Sequence, residues 1–199
     1  MSRQNVDLGF VPQSFPEGTH MCLIYKDEEE REKIISQYVH TGLSSHEKVS
    51  YFAVKATREE LLAKLTKIGV VLNEGNLDVL GAENTYCPDG KFVPEEMIGT
   101  LKQFYDSSIQ KGYKSCRVSG EMHWALNKIE GSERLMEYES LVNDALRTHP
   151  VTAICQYDAR KFSGETIIDC LKVHPFMIIN GQVIENPYYL TPEESLLPK

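Results

Sequence analysis

Short unbroken apolar runs alternate along this chain with stretches in which apolar residues recur every three or four positions. The first run, Met21-Cys22-Leu23-Ile24-Tyr25, reads as a buried strand. It leads directly into Lys26-Asp27-Glu28-Glu29-Glu30, where Asp27 is placed to cap a helix and three glutamates sit at the positive end of its dipole. Ile34, Ile35, Tyr38, Val39 and Leu43 give that helix one apolar stripe, with Gly42 near its stop. Val49–Val54 predicts a second strand. Thr57 and Glu60 then form a capping box for a helix that turns Leu61, Leu62, Leu65 and Ile68 inward. Leu77–Gly81 predicts a third strand, followed by the turn signal Cys87-Pro88-Asp89-Gly90. Pro94 starts a longer helix striped by Met97, Ile98, Leu101, Phe104, Tyr105 and Ile109. Tyr113–Glu121 predicts a fourth strand, and Ser132 the cap of a helix carrying Leu135, Met136, Leu141, Val142, Ala145 and Leu146. Val151–Tyr157 is a fifth strand, and Ser163 opens a helix with Ile167, Ile168 and Leu171. Asn180-Gly181, between Phe176–Ile179 and Gln182–Ile184, is the dipeptide a tight hairpin prefers.

Strands alternating with helices imply an α/β fold: a three-layer sandwich whose central sheet is mostly parallel, closed by a C-terminal β-hairpin. Residues 1–16, polar and with two prolines, read as an irregular N-terminal arm, and 17–199 as a single domain. In such sheets ligands bind at the carboxyl ends of strands, where the strand order reverses. That rule nominates Tyr25 and Lys26, then Glu121, His123 and Trp124, then Tyr157 and Asp158.

Composition narrows the partners. A net charge of −8 over 199 residues, with no strongly basic run, argues against a nucleic-acid surface. Five cysteines (Cys22, Cys87, Cys116, Cys155 and Cys170) are odd in number and scattered, which is no disulfide framework. The first residues lack the apolar stretch of a signal peptide, and no uncharged run approaches the roughly 20 apolar residues a membrane span needs. A reduced, cytoplasmic protein without membrane contact is expected. The corner after Tyr25 has no glycine, one lysine and four carboxylates, whereas a phosphate loop requires G-x-x-x-x-G-K-[S/T]. It is expected to repel a nucleotide.

Several stretches together resemble the MEDS domain, the sensory domain of methanogens, methylotrophs and the regulator DcmR. They are Gly18–Tyr25, Arg117–Leu126, Tyr138-Glu139, Ile154–Asp158, His174-Pro175 and Asn186–Tyr189. The resemblance implies a degenerate RecA/KaiC-like fold without a working phosphate loop. It also implies a role in sensing simple hydrocarbon derivatives, such as methylated or halogenated one-carbon compounds. Members carry the domain beside a kinase or DNA-binding module. This chain leaves no room for one, so a stand-alone sensor or adaptor is implied, with a kinase or transcription regulator as partner. Where such a fold keeps its metal-binding carboxylate, Glu121 remains, without a phosphate cradle to serve.

Individual residues carry two readings each. The family's histidine maps onto His20, which is either an effector contact or a hydrogen-bonded residue at a strand start. At about 3.3 Å per residue, His20 and Tyr25 lie roughly 16 Å apart, so one small ligand cannot touch both. His20 and Cys22 share a strand face and could be half a zinc site, yet the sequence reads as offering no second His/Cys pair at ligand spacing, and structural zinc wants four ligands. Cys22, Cys116 and Cys155 read as small core residues. Glu121, Trp124 and Asp158 form the stronger constellation, since an indole beside carboxylates suits an apolar or cationic ligand. Tyr157 is a ligand contact or core, and His174 is a structural residue at a helix end. The expected ligand-binding set is therefore His20, Tyr25, Glu121, Trp124, Tyr157 and Asp158, with no catalytic residue, metal or cofactor. A non-catalytic small-molecule sensor leads the functional readings. An oligomeric RecA-like interaction module follows, then an enzyme with residual nucleotide or cysteine chemistry.

Overall fold

The computed structural model describes residues 3–54, 58–67, 75–191 and 194. In chain order the elements are β1 (Asn5–Asp7), β2 (Ser14–Pro16), β3 (His20–Tyr25), α1 (Glu28–Ser44), β4 (Lys48–Ala53) and α2 (Arg58–Lys67). β5 (Leu77–Gly81), α3 (Ala82–Tyr86), α4 (Pro94–Gln110), β6 (Cys116–Glu121) and α5 (Leu135–Thr148) follow. The chain continues with β7 (Val151–Asp158), α6 (Gly164–Val173), β8 (Phe176–Ile179) and β9 (Gln182–Glu185). Seven strands make one sheet in the order β5-β4-β6-β7-β3-β8-β9, parallel throughout except for the antiparallel β8-β9 hairpin. Among the described residues, no helix is long and apolar enough to cross a membrane.

Alternation along the strands divides the core in two. Met21, Leu23, Tyr25, Val49, Tyr51 and Ile154 face α1 and α2, where Ile34, Ile35, Tyr38, Val39, Leu61 and Leu65 cover them. Cys22, Cys116, Val118, Cys155 and Tyr157 face α4, α5 and α6, meeting Met97, Leu101, Tyr138, Val142 and Cys170. The sheet with a helical layer on each side is the three-layer sandwich the pattern predicts. His20 pairs in register with Ala153 and Tyr25 with Asp158, so β3 and β7 run side by side for their whole common length.

Three local expectations change. Where an irregular arm was expected, β1 and β2 pair antiparallel, and Leu8 between them is fully buried in the α1 layer of the core. Ser132 does not cap α5: it starts a 3-10 turn over Ser132–Arg134, and α5 begins at Leu135 with no side-chain cap. Gly42 lies in the last turn of α1, near its stop as expected. A Cβ there would meet Arg117 Nε at 2.6 Å, so the glycine makes room for a fully buried guanidinium. Arg117 pairs with Glu47 and donates to Tyr38 O and Asp7 O, tying the sheet to α1 and to the N-terminal hairpin. The fourth strand is shorter than expected, because α4 ends at Gln110 and a turn through Gly112 precedes Cys116. Thr57 and Ile68 lie outside the described residues.

Candidate functional site

The head of β3, the middle of α5, β7 and the end of α6 meet on one face of the sheet. His20 enters from β3, Glu139 and Asn143 from successive turns of α5, Cys155 and Tyr157 from alternate positions of β7, and Cys170 and His174 from successive turns of α6. Helical spacing of four and strand spacing of two bring each pair onto a common face. His20, Glu139, His174 and Tyr157 are all buried to within 1% exposure, so polar groups here must satisfy one another.

Glu139 is the hub. Its Oε1 accepts the Tyr157 hydroxyl at 2.5 Å. Its Oε2 lies 3.2 Å from His20 Nε2, 3.5 Å from His174 Nε2 and 3.3 Å from Cys155 Sγ. Cys155 Sγ is in turn 3.5 Å from His20 Nε2. Burial alone would raise the Glu139 pKa, but His174 and His20 beside it reverse that and hold the carboxyl well below the usual carboxylate range. Burial opposes charge on His174, and the Glu139 carboxylate overrides it, raising His174 to about 9. His20 is pushed the other way, by burial and then by its proximity to His174. The cluster therefore holds an ionised carboxylate between one imidazolium and one neutral imidazole. Burial pushes the Cys155 thiol far up, with Glu139 adding to it.

Donor atoms of His20, Glu139, Cys155 and His174 all lie within 4.8 Å of one another, and those of Cys22, Cys170 and His174 do likewise. These are the groups in the described part of the chain that could hold a metal ion. The pair missing from the sequence argument is Cys170–His174, two ligand types one helical turn apart, which sits against His20–Cys22. All five cysteines are free and buried.

The six residues singled out from the sequence do not share one pocket. His20 and Tyr157 converge on Glu139. Tyr25, Glu121 and Asp158 occupy the opposite face of the sheet, as the two-residue alternation requires. There Glu121 accepts from Tyr51 Oη at 2.5 Å and from the Val54 amide at 3.2 Å, and lies 3.4 Å from Arg31 Nη1. Arg31 stands over the Tyr25 ring at 5.6 Å. Asp158 receives Arg160 through two side-chain hydrogen bonds of 2.7 Å. Trp124 is fully buried, stacked on Tyr86 at 4.9 Å between centroids and packed on Phe92 at 4.6 Å. The indole and the Glu121 carboxylate thus point into different layers.

Nor is the corner after Tyr25 as negative as its lysine count suggests. Asp27 caps α1 by accepting the Glu30 amide at 2.9 Å, while Glu28 faces Arg31 at 3.2 Å and Arg160 at 3.9 Å. Two surface hollows touch the candidates. One of about 220 Å³ lies at the amino end of β3 and is walled by Gly18, His20, Asn143, Leu146 and Phe176. A second of about 180 Å³, at the carboxyl ends of β4 and β5, is walled by Val54, Ala82, Asn84 and Trp124.

Comparison with known proteins gives the setting. Residues 19–175 match the family model described as MEDS, the MEthanogen/methylotroph, DcmR Sensory domain. Over 156 residues the chain is 27% identical to the transcriptional repressor DcmR of Methylorubrum extorquens, covering 78% of this chain and 57% of the repressor. The chain thus spans little more than half that relative's length. A KaiC-like protein of Pyrococcus horikoshii shares the fold with a TM-score of 0.60 and 16% identity, over 88% of this chain and 79% of that one. The flagellar accessory protein FlaH of Methanocaldococcus jannaschii does so with a TM-score of 0.59 and 12% identity, over 92% and 84%.

Proposed function

The chain belongs to the MEDS family of sensory domains, and on that premise we propose that it is a non-catalytic receptor for a small organic molecule, acting in transcriptional or signal-transduction control. The ligand class we infer is simple hydrocarbon derivatives, methylated or halogenated one-carbon compounds among them. The observation that carries the reading is the hollow of about 220 Å³ against His20 and Asn143. It is small beside the roughly 300–1,000 Å³ of drug-sized sites, which suits a ligand of few atoms. Its wall joins apolar Leu146 and Phe176 to the imidazole and amide that connect it to the buried Glu139 cluster. Binding there would press on β3, α5 and β8 together, three elements whose shared packing could pass the event to a partner. The relative's name as a transcriptional repressor favours a transcription regulator as that partner, and the charge of −8 suits sensing rather than phosphate contact.

The test is a thermal-shift panel of dichloromethane, methanol, methylamines and related one-carbon compounds. Amide chemical-shift mapping of any hit then locates it. A saturable rise in melting temperature, with shifts centred on Gly18–Met21, Asn143 and Phe176, is expected. Shifts centred on Ala82–Asn84 and Trp124 would move the site to the other hollow, and no saturable response to any compound would sink the reading. Quenching of Trp124 would report on the second hollow, whose wall it helps to form, and not on the first.

A further inference from the structure

We propose that His20, Glu139, Cys155 and His174 form a tetrahedral binding site for a divalent transition-metal ion, with zinc the best chemical match. The inference does not depend on the sensory reading.

The spacing of the donor atoms comes first. Metal–ligand bonds of roughly 2.0–2.3 Å at tetrahedral angles place neighbouring donor atoms about 3.3–3.6 Å apart. Four edges of the polyhedron formed by His20 Nε2, Glu139 Oε2, Cys155 Sγ and His174 Nε2 measure 3.2, 3.5, 3.3 and 3.5 Å. The remaining two lie within 4.8 Å.

The surrounding hydrogen bonds come second. A metal-ligating histidine donates its other ring N–H to a carbonyl or carboxylate, and a ligating carboxylate is itself hydrogen-bonded. His174 Nδ1 lies 2.8 Å from the Cys170 carbonyl, which only accepts, so Nδ1 carries the proton. His20 Nδ1 lies 2.9 Å from Asn143 Oδ1. That oxygen faces His20 because the Asn143 amide nitrogen donates to Val173 O at 2.7 Å and Glu139 O at 3.3 Å. Both rings therefore aim Nε2 at the centre. Tyr157 occupies Glu139 Oε1 and leaves Oε2 as the inward donor. His174 Nε2 is buried and makes no well-formed hydrogen bond, its ion-pair partner Glu139 Oε2 standing 3.5 Å away. A ring nitrogen aimed inward at that length can exchange its proton for a metal ion held by both groups.

Chemistry selects the ion. Two imidazoles, a thiolate and a carboxylate make a mixed, borderline-soft set that favours zinc over the hard magnesium or calcium. Binding releases two protons, one from the Cys155 thiol and one from the His174 imidazolium, and a divalent ion with one thiolate and one carboxylate is then neutral overall, so filling the site adds no net charge to the interior. Four protein ligands close the coordination sphere, which is the mark of a structural rather than a hydrolytic centre. The neighbouring group of Cys22, Cys170 and His174 is the weaker candidate. It offers three donors, and the His174 nitrogen on the Cys170 side is already committed to a carbonyl.

The full chain, stripped with a chelator and titrated with Co²⁺ and Zn²⁺, tests the assignment. The expected result is one ion per chain, a tetrahedral cobalt spectrum with a thiolate-to-cobalt band, and a higher melting temperature on zinc loading. Cys155→Ser should abolish the thiolate band, while the Cys22→Ser/Cys170→Ser double variant keeps it. X-ray absorption of the zinc-loaded wild type, which needs no variant to fold, should show a single sulfur among nitrogen and oxygen ligands. Failure to retain either ion overturns the proposal. So does a shell with no sulfur or with two, or a thiolate band that survives Cys155→Ser.

Discussion

Asn143 Oδ1 and His20 Nδ1 lie 2.9 Å apart, and this one contact decides which nitrogen of the ring at the head of β3 faces the Glu139 carboxylate. The amide can do so because its own nitrogen is held by Val173 O and Glu139 O, so α5, α6 and β3 are locked through a single side chain.

Asn143→Leu keeps the approximate volume and removes every one of these bonds. Stability in urea should fall by about 1–3 kcal/mol, the cost of leaving buried donors and acceptors unpaired. Cobalt affinity should fall about 10- to 100-fold with the thiolate band retained, as for loss of an orienting partner. Unchanged stability would mean that the contact to His20 is incidental.

The N-terminal hairpin belongs to the core. Leu8 is fully buried against the α1 layer, so Leu8→Ala should cost about 2–5 kcal/mol, measured by denaturant unfolding. Gly9 next to it has φ of +86°, and a Cβ there would lie 2.6 Å from Gln37 O. Gly9→Ala should therefore also destabilise, although it replaces the smallest residue by the next smallest. A loose arm would tolerate both changes.

The fold was legible because strand runs and helical stripes are written locally, and nearly every element sits within a few residues of where periodicity places it. The site was not, because its parts are joined only by topology. Part of it could still have been read. Alternation along β7 already separates Tyr157 from Asp158, so the two could not serve one pocket. Glu139 falls in the stripe Leu135, Tyr138, Val142 and Leu146, and a carboxylate on the apolar face of a helix signals a buried partner. Cys170 and His174, one turn apart, are the second ligand pair that the strand pair His20–Cys22 lacked. What no periodicity shows is that β3, α5, β7 and α6 bring these residues to one point, since that depends on β7 and β8 flanking β3. The N-terminal hairpin was missed because a three-residue strand carries too few positions to show alternation.

Acid should weaken the fold in a defined window. Two hydrogen bonds from Arg160 lead the causes that lower the Asp158 pKa from 3.8 to about 2, against the opposing effect of burial. Lys161 at 4.0 Å and His123 at 3.6 Å also face the carboxylate, with His123 lowered by burial and Lys161. A depressed folded-state value means the stabilisation is complete above pH 4 and is lost as pH falls from about 4 towards 2. Arg160 is half exposed, so high salt should shrink the effect. Asp158→Asn should remove this part of the acid limb from a plot of unfolding free energy against pH, and an unchanged limb would assign it to other carboxylates.

Nucleotide should find no purchase at the corner after Tyr25. The Glu30 amide in the first turn of α1, where a phosphate would bind, is already taken by the Asp27 carboxylate. Arg31, in the first turns of α1, is spent inward on Tyr51 at 3.0 Å and Gln156 at 3.1 Å, with Glu121 beside it. Mg-ATP should therefore leave the melting temperature unchanged and should not be hydrolysed. A catalytic Glu121 would lose turnover on conversion to Gln with little change in stability. The structure demands the reverse. Glu121 accepts Tyr51 and Arg31 on one oxygen and the Val54 amide on the other, so a Gln amide group turned either way puts a donor against a donor. Glu121→Gln should cost about 1–3 kcal/mol in urea unfolding and change no nucleotide response. A Mg-ATP-dependent rise in melting temperature that Glu121→Gln abolishes would restore the nucleotide reading.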